Sequence, residues 1–200
     1  MSVWAVLPET ARADGRLDSL LSRVAKEREG LRALRGPFAQ TRSIGLLSTD
    51  IRSHGRLTLL RPDRLRWELL APDQVIFWVG PEGLAYQSAH GGGALPRTGS
   101  RFAVALDDVR TLLGGDLTKL TERWALRVIR DDASGAEIEA SPQGGPQAGI
   151  SSMRLALARD LVRPTHITLI EGPRDRTVID FEDLTINPAV ELAEMRPPSR

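Results

Sequence analysis

His90 is followed by Gly91, Gly92 and Gly93, and a His-Gly-Gly-Gly run is the sequence form of an oxyanion loop for ester hydrolysis. That chemistry also needs a nucleophile on a Gly-x-Ser-x-Gly elbow, and the chain contains none. The run therefore reads as a glycine-rich loop behind a solitary histidine. An esterase is the weakest reading; ester turnover abolished by one serine substitution would revive it. His54 and His166 fall in separate strand-like segments without His-Glu-x-x-His spacing, so no zinc set forms. The carboxylate pairs Asp107-Asp108 and Asp131-Asp132 read as solvated groups on a helix face and in a turn. No Gly-x-x-x-x-Gly-Lys loop and no dinucleotide fingerprint occurs, and with no cysteine there is no thiolate chemistry. The residues point to no enzyme, no cofactor and no metal.

One cation stands out instead. In Arg61-Pro62-Asp63-Arg64-Leu65-Arg66-Trp67-Glu68, the residues Leu57, Leu59, Arg61, Leu65, Trp67 and Leu69 share one parity. In paired strands one parity means one face. An otherwise apolar face thus carries a single guanidinium at a proline-marked bend. A cation aimed at such a face needs acceptors, and the generic ones are carbonyls at the ends of covering helices. The competing reading is an arginine snorkelling at a strand end.

The elements that must position this face follow from periodicity. Leu17, Leu20, Leu21, Val24, Leu31 and Leu34 recur at helical offsets, which predicts a helix over 17–35 with Asp14 as N-cap and Gly36-Pro37 as its stop. Alternation then begins at Phe38, and short strands follow between Pro, Asp and Gly turns, an antiparallel meander. Residues 88–100 read as a mobile glycine-rich loop. Phe102, Leu106, Val109, Leu112 and Leu113 predict a second helix, followed by a short capped turn at Asp116–Leu120. Strands return from Trp124 to Ile186, interrupted at 141–149. The total is about ten strands and two or three helices, an α+β chain dominated by one large antiparallel sheet. A twisted sheet of this size curls. The amphipathic helices then cover its concave face, either as ordinary core or as a lid over a cavity.

The chain has 200 residues, 41% hydrophobic and 26% charged, which suits one globular domain. Lys+Arg 27 against Asp+Glu 26 gives +1, so no general nucleic-acid field is expected. Ala11-Arg12-Ala13 has the small residues that a signal peptidase accepts. Residues 1–13 read as the tail of an export signal, as residues added by cloning, or as a chance Ala-x-Ala. Residues 14–200 read as the single domain.

At this point the sequence resembles a family. Phe38-x-Gln40 after an N-terminal helix, Gly55-x-Leu57, Arg61-Pro62-x-x-Leu65-Arg66-Trp67-Glu68 and Pro72 are similar to the LolA-type outer-membrane lipoprotein carriers. Leu112-Leu113-x-Gly115-Asp116-Leu117, Glu171, Thr177-x-Ile179-x-Phe181 and Asn187 continue the match in order, to about Pro198. The resemblance implies an unclosed antiparallel β-barrel with a helical lid over a hydrophobic cavity. It implies a monomeric periplasmic carrier that takes lipoproteins from an inner-membrane ABC transporter and passes them to an outer-membrane receptor. On this basis the acyl-chain cavity and lid comprise Arg61, Leu57, Leu59, Leu65, Trp67, Leu69, Leu20, Val24, Phe102 and Leu106. Arg61 is implied to latch both helices, and Leu65 to matter for engaging the transporter. The chain departs from the family at Pro81-Glu82-Gly83 and Tyr86-Gln87-Ser88. Two alternatives stand beside this reading: a carrier of another amphiphilic lipid, and a non-catalytic scaffold or sensor with a filled core.

Overall fold

The computed structural model describes residues 9–45, 49–95, 101–145 and 149–198. The chain opens with helix α1 (Glu9–Glu27), so Asp14 lies inside the helix rather than at its cap. Residues 1–8 of the amino-terminal segment fall outside the described residues, and the rest of that segment runs into α1. The helix also ends eight residues before the predicted Arg35. Arg28 N still donates to Val24 O, but the next bonds, Glu29 N to Lys26 O and Leu31 N to Arg28 O, tighten into a turn. By Ala33 the backbone has become strand β1 (Ala33–Ile44). Leu31 and Leu34 happen to continue the helical spacing of Val24, yet their burial comes from the turn and the strand. Gly36 and Pro37 are no stop; they lie within β1, opposite Leu57 and Arg56.

The meander continues through β2 (Thr49–Leu60), β3 (Arg64–Leu69), β4 (Val75–Gly80), β5 (Gly83–Ser88) and β6 (Gly91–Leu95). Strand β6 replaces part of the predicted mobile loop. Its residues Gly91 to Leu95 pair in register with Ser88 to Leu84. A run of glycines has no side chains to alternate, so its strand state left no periodicity to read. Helix α2 (Arg101–Gly114) and a 3-10 turn, Leu117–Glu122, follow. Asp116 caps that turn, its side chain accepting from Thr118 N at 3.0 Å. The second half of the sheet is β7 (Trp124–Asp132), β8 (Gly135–Pro142), β9 (Ser152–Ala158), β10 (Pro164–Ile170), β11 (Arg176–Phe181) and the short β12 (Thr185–Ile186). A last 3-10 turn covers Leu192–Met195.

All the strands form one 12-stranded antiparallel sheet in the order β6-β5-β4-β3-β2-β1-β11-β10-β9-β8-β7, with β12 also on β1. The two longest strands, β1 and β2, pair throughout from Ala33↔Leu60 to Ile44↔Thr49 and form its spine. The edges β6 and β7 do not pair with each other, so the architecture is an unclosed antiparallel barrel with helices, an α+β fold.

Candidate ligand-binding face

Cross-strand partners share a face. Leu34, Leu59, Leu65, Val79 and Leu84 stand in one row across β1 to β5. Leu57, Trp67, Phe77 and Tyr86 form the neighbouring row. On the other half Ile179, Ile167, Leu155, Ile138 and Val128 form a further row from β11 to β7, on the same face because Phe38 of β1 pairs with Phe181 two residues beyond Ile179. One continuous apolar face therefore runs over the sheet. The three-residue bend 61–63 joins Leu60 to its partner Arg64, which keeps Leu57 and Leu59 on the same face as Leu65, Trp67 and Leu69. At its centre, the ring of Phe38 lies 4.1 Å from that of Trp67, and both meet Phe181 edge-on at 6.3 Å.

The helices supply the other side of the same buried cluster. Leu20 and Val24 of α1 and Leu106, Val109, Leu112 and Leu113 of α2 belong to it together with Leu57, Leu59, Leu65 and Trp67. Leu69 packs against it, half-buried. Phe102 lies in the first turn of α2, and its side chain is outside the described residues. Leu65 is fully buried, so in this state it offers nothing to a partner protein.

Arg61 turns toward the helices. Its Nη1 donates to the main-chain carbonyl of Arg28 and, at 3.3 Å, to that of Leu31, at the carboxyl end of α1. Its backbone N–H donates to Arg32 O at 2.8 Å. These bonds reach α1, whereas the resemblance implied a grip on both helices. The link from α1 to α2 comes from Arg28 itself. Its Nη2 donates to Leu112 O at 3.1 Å and its Nη1 to Gly115 O at 3.2 Å, at the carboxyl end of α2. A helix carries partial negative charge at that end, and α2 has no basic residue of its own in its last turn. Two guanidiniums thus cap two helices in series. Burial, and secondarily the charge of Arg61, pulls the pKa of Arg28 down to about 10, while Asp160 opposes the fall. At neutral pH Arg28 is still charged.

Gly114 allows the close approach. A Cβ there would stand 2.1 Å from Leu59 Cδ2 and 3.5 Å from Leu31 Cδ2, so the last turn of α2 rests directly on β2 and the α1–β1 turn. Asn187 holds that turn from the far side. Its Oδ1 accepts from Arg32 N at 2.7 Å and Ala33 N at 3.1 Å, and its Nδ2 donates to Gly30 O at 2.9 Å.

Sequence reasoning missed Arg28, although a signal existed. Arg28 is four residues beyond Val24 and three before Leu31, in line with the apolar stripe of α1 and one residue past its end. The same oddity singled out Arg61. It also passed over Asp108 as a solvated carboxylate. Asp108 is wholly buried on α2 and accepts from the guanidinium of Arg123. Desolvation is the dominant influence and pushes its pKa up to about 6, with Asp107 adding to the rise and Arg123 and Trp124 opposing it.

The motifs considered for catalysis stay apart. His90 sits in the β5–β6 turn, where its N–H donates to Ser88 Oγ. His166 lies between Asp180 and Thr168 on the outer side of β10, and His54 is exposed on β2. Among the described residues no group of His, Asp and Glu could hold a metal ion. An open pocket of about 680 Å³ lies between Ala85–Gln87, Gly91–Ala94 and Pro197–Pro198, at the β6 edge.

Solved structures share this arrangement. A DUF1329 family protein from Desulfovibrio piger superposes with a TM-score of 0.52 at 8% identity, covering 90% of this chain and 96% of its own. MucB from the Pseudomonas aeruginosa MucA/MucB complex superposes with a TM-score of 0.52 at 14% identity, covering 92% of this chain. The likeness is one of fold. This chain spans only 61% of that MucB. A LolA superfamily protein from Nitrosomonas europaea gives a TM-score of 0.48 at 9% identity, covering 86% of this chain and 94% of its own. Neither a family profile nor a curated protein matches the chain. An unclosed antiparallel barrel with helices on its apolar face is the architecture that the resemblance to LolA-type carriers implies.

Proposed function

We propose that the protein is a periplasmic carrier that shields the acyl chains of lipoproteins and moves them from an inner-membrane ABC transporter to an outer-membrane receptor. The observation that carries this reading is the guanidinium of Arg61, which joins an apolar sheet face to a covering helix through main-chain carbonyls alone. Each buried methylene is worth ~0.8 kcal/mol, so three acyl chains of roughly fifteen methylenes total ~36 kcal/mol of exposure to water. A carrier must cover them and still let go. A close-packed core admits nothing, but helices tied by hydrogen bonds worth about 1.5–3 kcal/mol each can leave the face when an acyl chain takes their place. In this reading the structure is the closed form: Leu20, Val24 and Leu106 occupy the face that the cargo would cover, and no nucleotide, metal or catalytic group is used.

The test is transfer. Purified protein should extract a diacylated peptide from vesicles and give it up to acceptor vesicles bearing the receptor. Arg61→Leu should still take the peptide but should fail to release it. A parent protein that extracts none would overturn the carrier reading.

A second reading is favoured by the continuous burial of both helices in one cluster with the sheet: a filled interaction domain. MucB, whose fold is similar, is seen in complex with MucA. No acyl uptake together with capture of a peptide partner on the outer surface would establish it. If the lipid extracted with the native protein is not a lipoprotein, the alternative of another amphiphile on the same fold stands.

A further inference from the structure

We infer that Arg28 is the positioning residue that couples the two helices, so that α2 follows α1 and both respond to Arg61. The inference rests on the carrier reading only for what the coupling serves. Arg61 projects from the end of β2 and reaches α1 alone, through the carbonyls of Arg28 and Leu31. The residue whose carbonyl it takes then sends its own side chain onward to Leu112 O and Gly115 O of α2. Arg28 is 2% exposed, and among the described residues it makes no salt bridge and its buried Nε has no hydrogen-bond partner. The charge of Asp160 attracts it and that of Arg61 repels it.

A buried cation without an ion pair contributes little to stability, and an apolar side chain of similar volume often serves as well. What Arg28 offers is placement: a fork whose two nitrogens reach two carbonyls one turn apart. Lysine, a single ammonium, cannot span both. The acceptors are backbone atoms, so they cannot be mutated away; only the donors can be varied.

The chain has no cysteine, so spin-label pairs can be introduced without background. Ser22→Cys with Thr111→Cys reports α1 against α2, and Arg52→Cys with either reports a helix against the sheet. In ligand-free protein, Arg28→Met should widen the α1–α2 and α2–sheet distance distributions at least twofold and leave α1–sheet unchanged. Arg61→Met should widen both helix–sheet distributions and leave α1–α2 as narrow as in the parent. Arg28→Lys should fall between parent and Arg28→Met, and it carries the test if the methionine variant does not fold. An α1–α2 distribution unchanged by Arg28→Met, or widened by Arg61→Met, overturns the coupling. A melting temperature that collapses in Arg28→Lys while its distances stay narrow also overturns it, since the role would then be structural only. These distances are read without ligand, so a parent that binds no acylated peptide defeats the carrier reading and not the coupling.

Discussion

The carboxylate of Asp108, wholly buried on α2, accepts a hydrogen bond from the guanidinium of Arg123 where the chain enters β7. Arg123 is itself 40% exposed, so water weakens the attraction while burial penalises the charge in full.

That balance predicts a pH signature. The pKa of Asp108 is raised from 3.8 to about 6 in the folded protein. The folded state therefore binds the proton more tightly than the unfolded chain does. The stabilisation from protonation is complete below pH 3.8 and is lost as the pH rises through about 6. The difference between the two limits is roughly 3 kcal/mol. Asp108→Asn should lack this loss. Thermal unfolding of both proteins from pH 4 to pH 7.5 should diverge across that window and run parallel outside it. Profiles that stay parallel throughout would refute the assignment.

Phe38 is seated on Gly55, its pair partner in β2. A Cβ at Gly55 would lie 2.1 Å from Phe38 Cζ and 2.4 Å from the carbonyl oxygen of Glu68. The ring can shift but the backbone oxygen cannot, so Gly55→Ala should destabilise by about 1–3 kcal/mol through overpacking. Urea unfolding measures it. Trp67, whose ring packs against Phe38, should change its emission in the same variant, and an unmoved midpoint would count against this contact.

Asn187 has φ +54 and joins the α1–β1 turn through Gly30, Arg32 and Ala33. Asn187→Ala should cost about 3 kcal/mol, from three hydrogen bonds at roughly 1 kcal/mol each. Asn187→Gly should cost less, because glycine tolerates the positive φ. Equal losses in the two variants would show that backbone conformation contributes nothing here. The same turn carries the acceptors of Arg61, so Asn187→Ala should also accelerate hydrogen exchange at residues 28–33.

Arg61→Leu should favour the open form of the proposed carrier by at least the worth of one charge-assisted bond, about 1.5–3 kcal/mol. An acyl-chain fluorophore should then bind about tenfold to a hundredfold more tightly, mostly through slower release. Stopped-flow displacement gives the rate. Faster release than in the parent would mean that Arg61 holds the ligand rather than the lid.

Much of the sheet could be read in advance, because alternation survives a bend that pairs Leu60 with Arg64. The apolar parity of Leu57, Leu59, Leu65 and Trp67 is therefore the apolar face of the fold. The end of α1 could not be read so. Leu31 and Leu34 satisfy a helical repeat from Val24 and are equally at home in a turn and a strand. Strand β6 was hidden for the opposite reason, since glycines give no pattern at all.

The amino-acid sequence by itself determined which faces are apolar and that a cation interrupts one of them. Side-chain chemistry and spacing are written directly in it. The tertiary structure alone decided which groups those cations meet: Arg61 the end of α1, Arg28 the end of α2. The acceptors are main-chain carbonyls, identical at every residue, and only folding distinguishes one from another by placing it at a helix terminus within reach of a guanidinium.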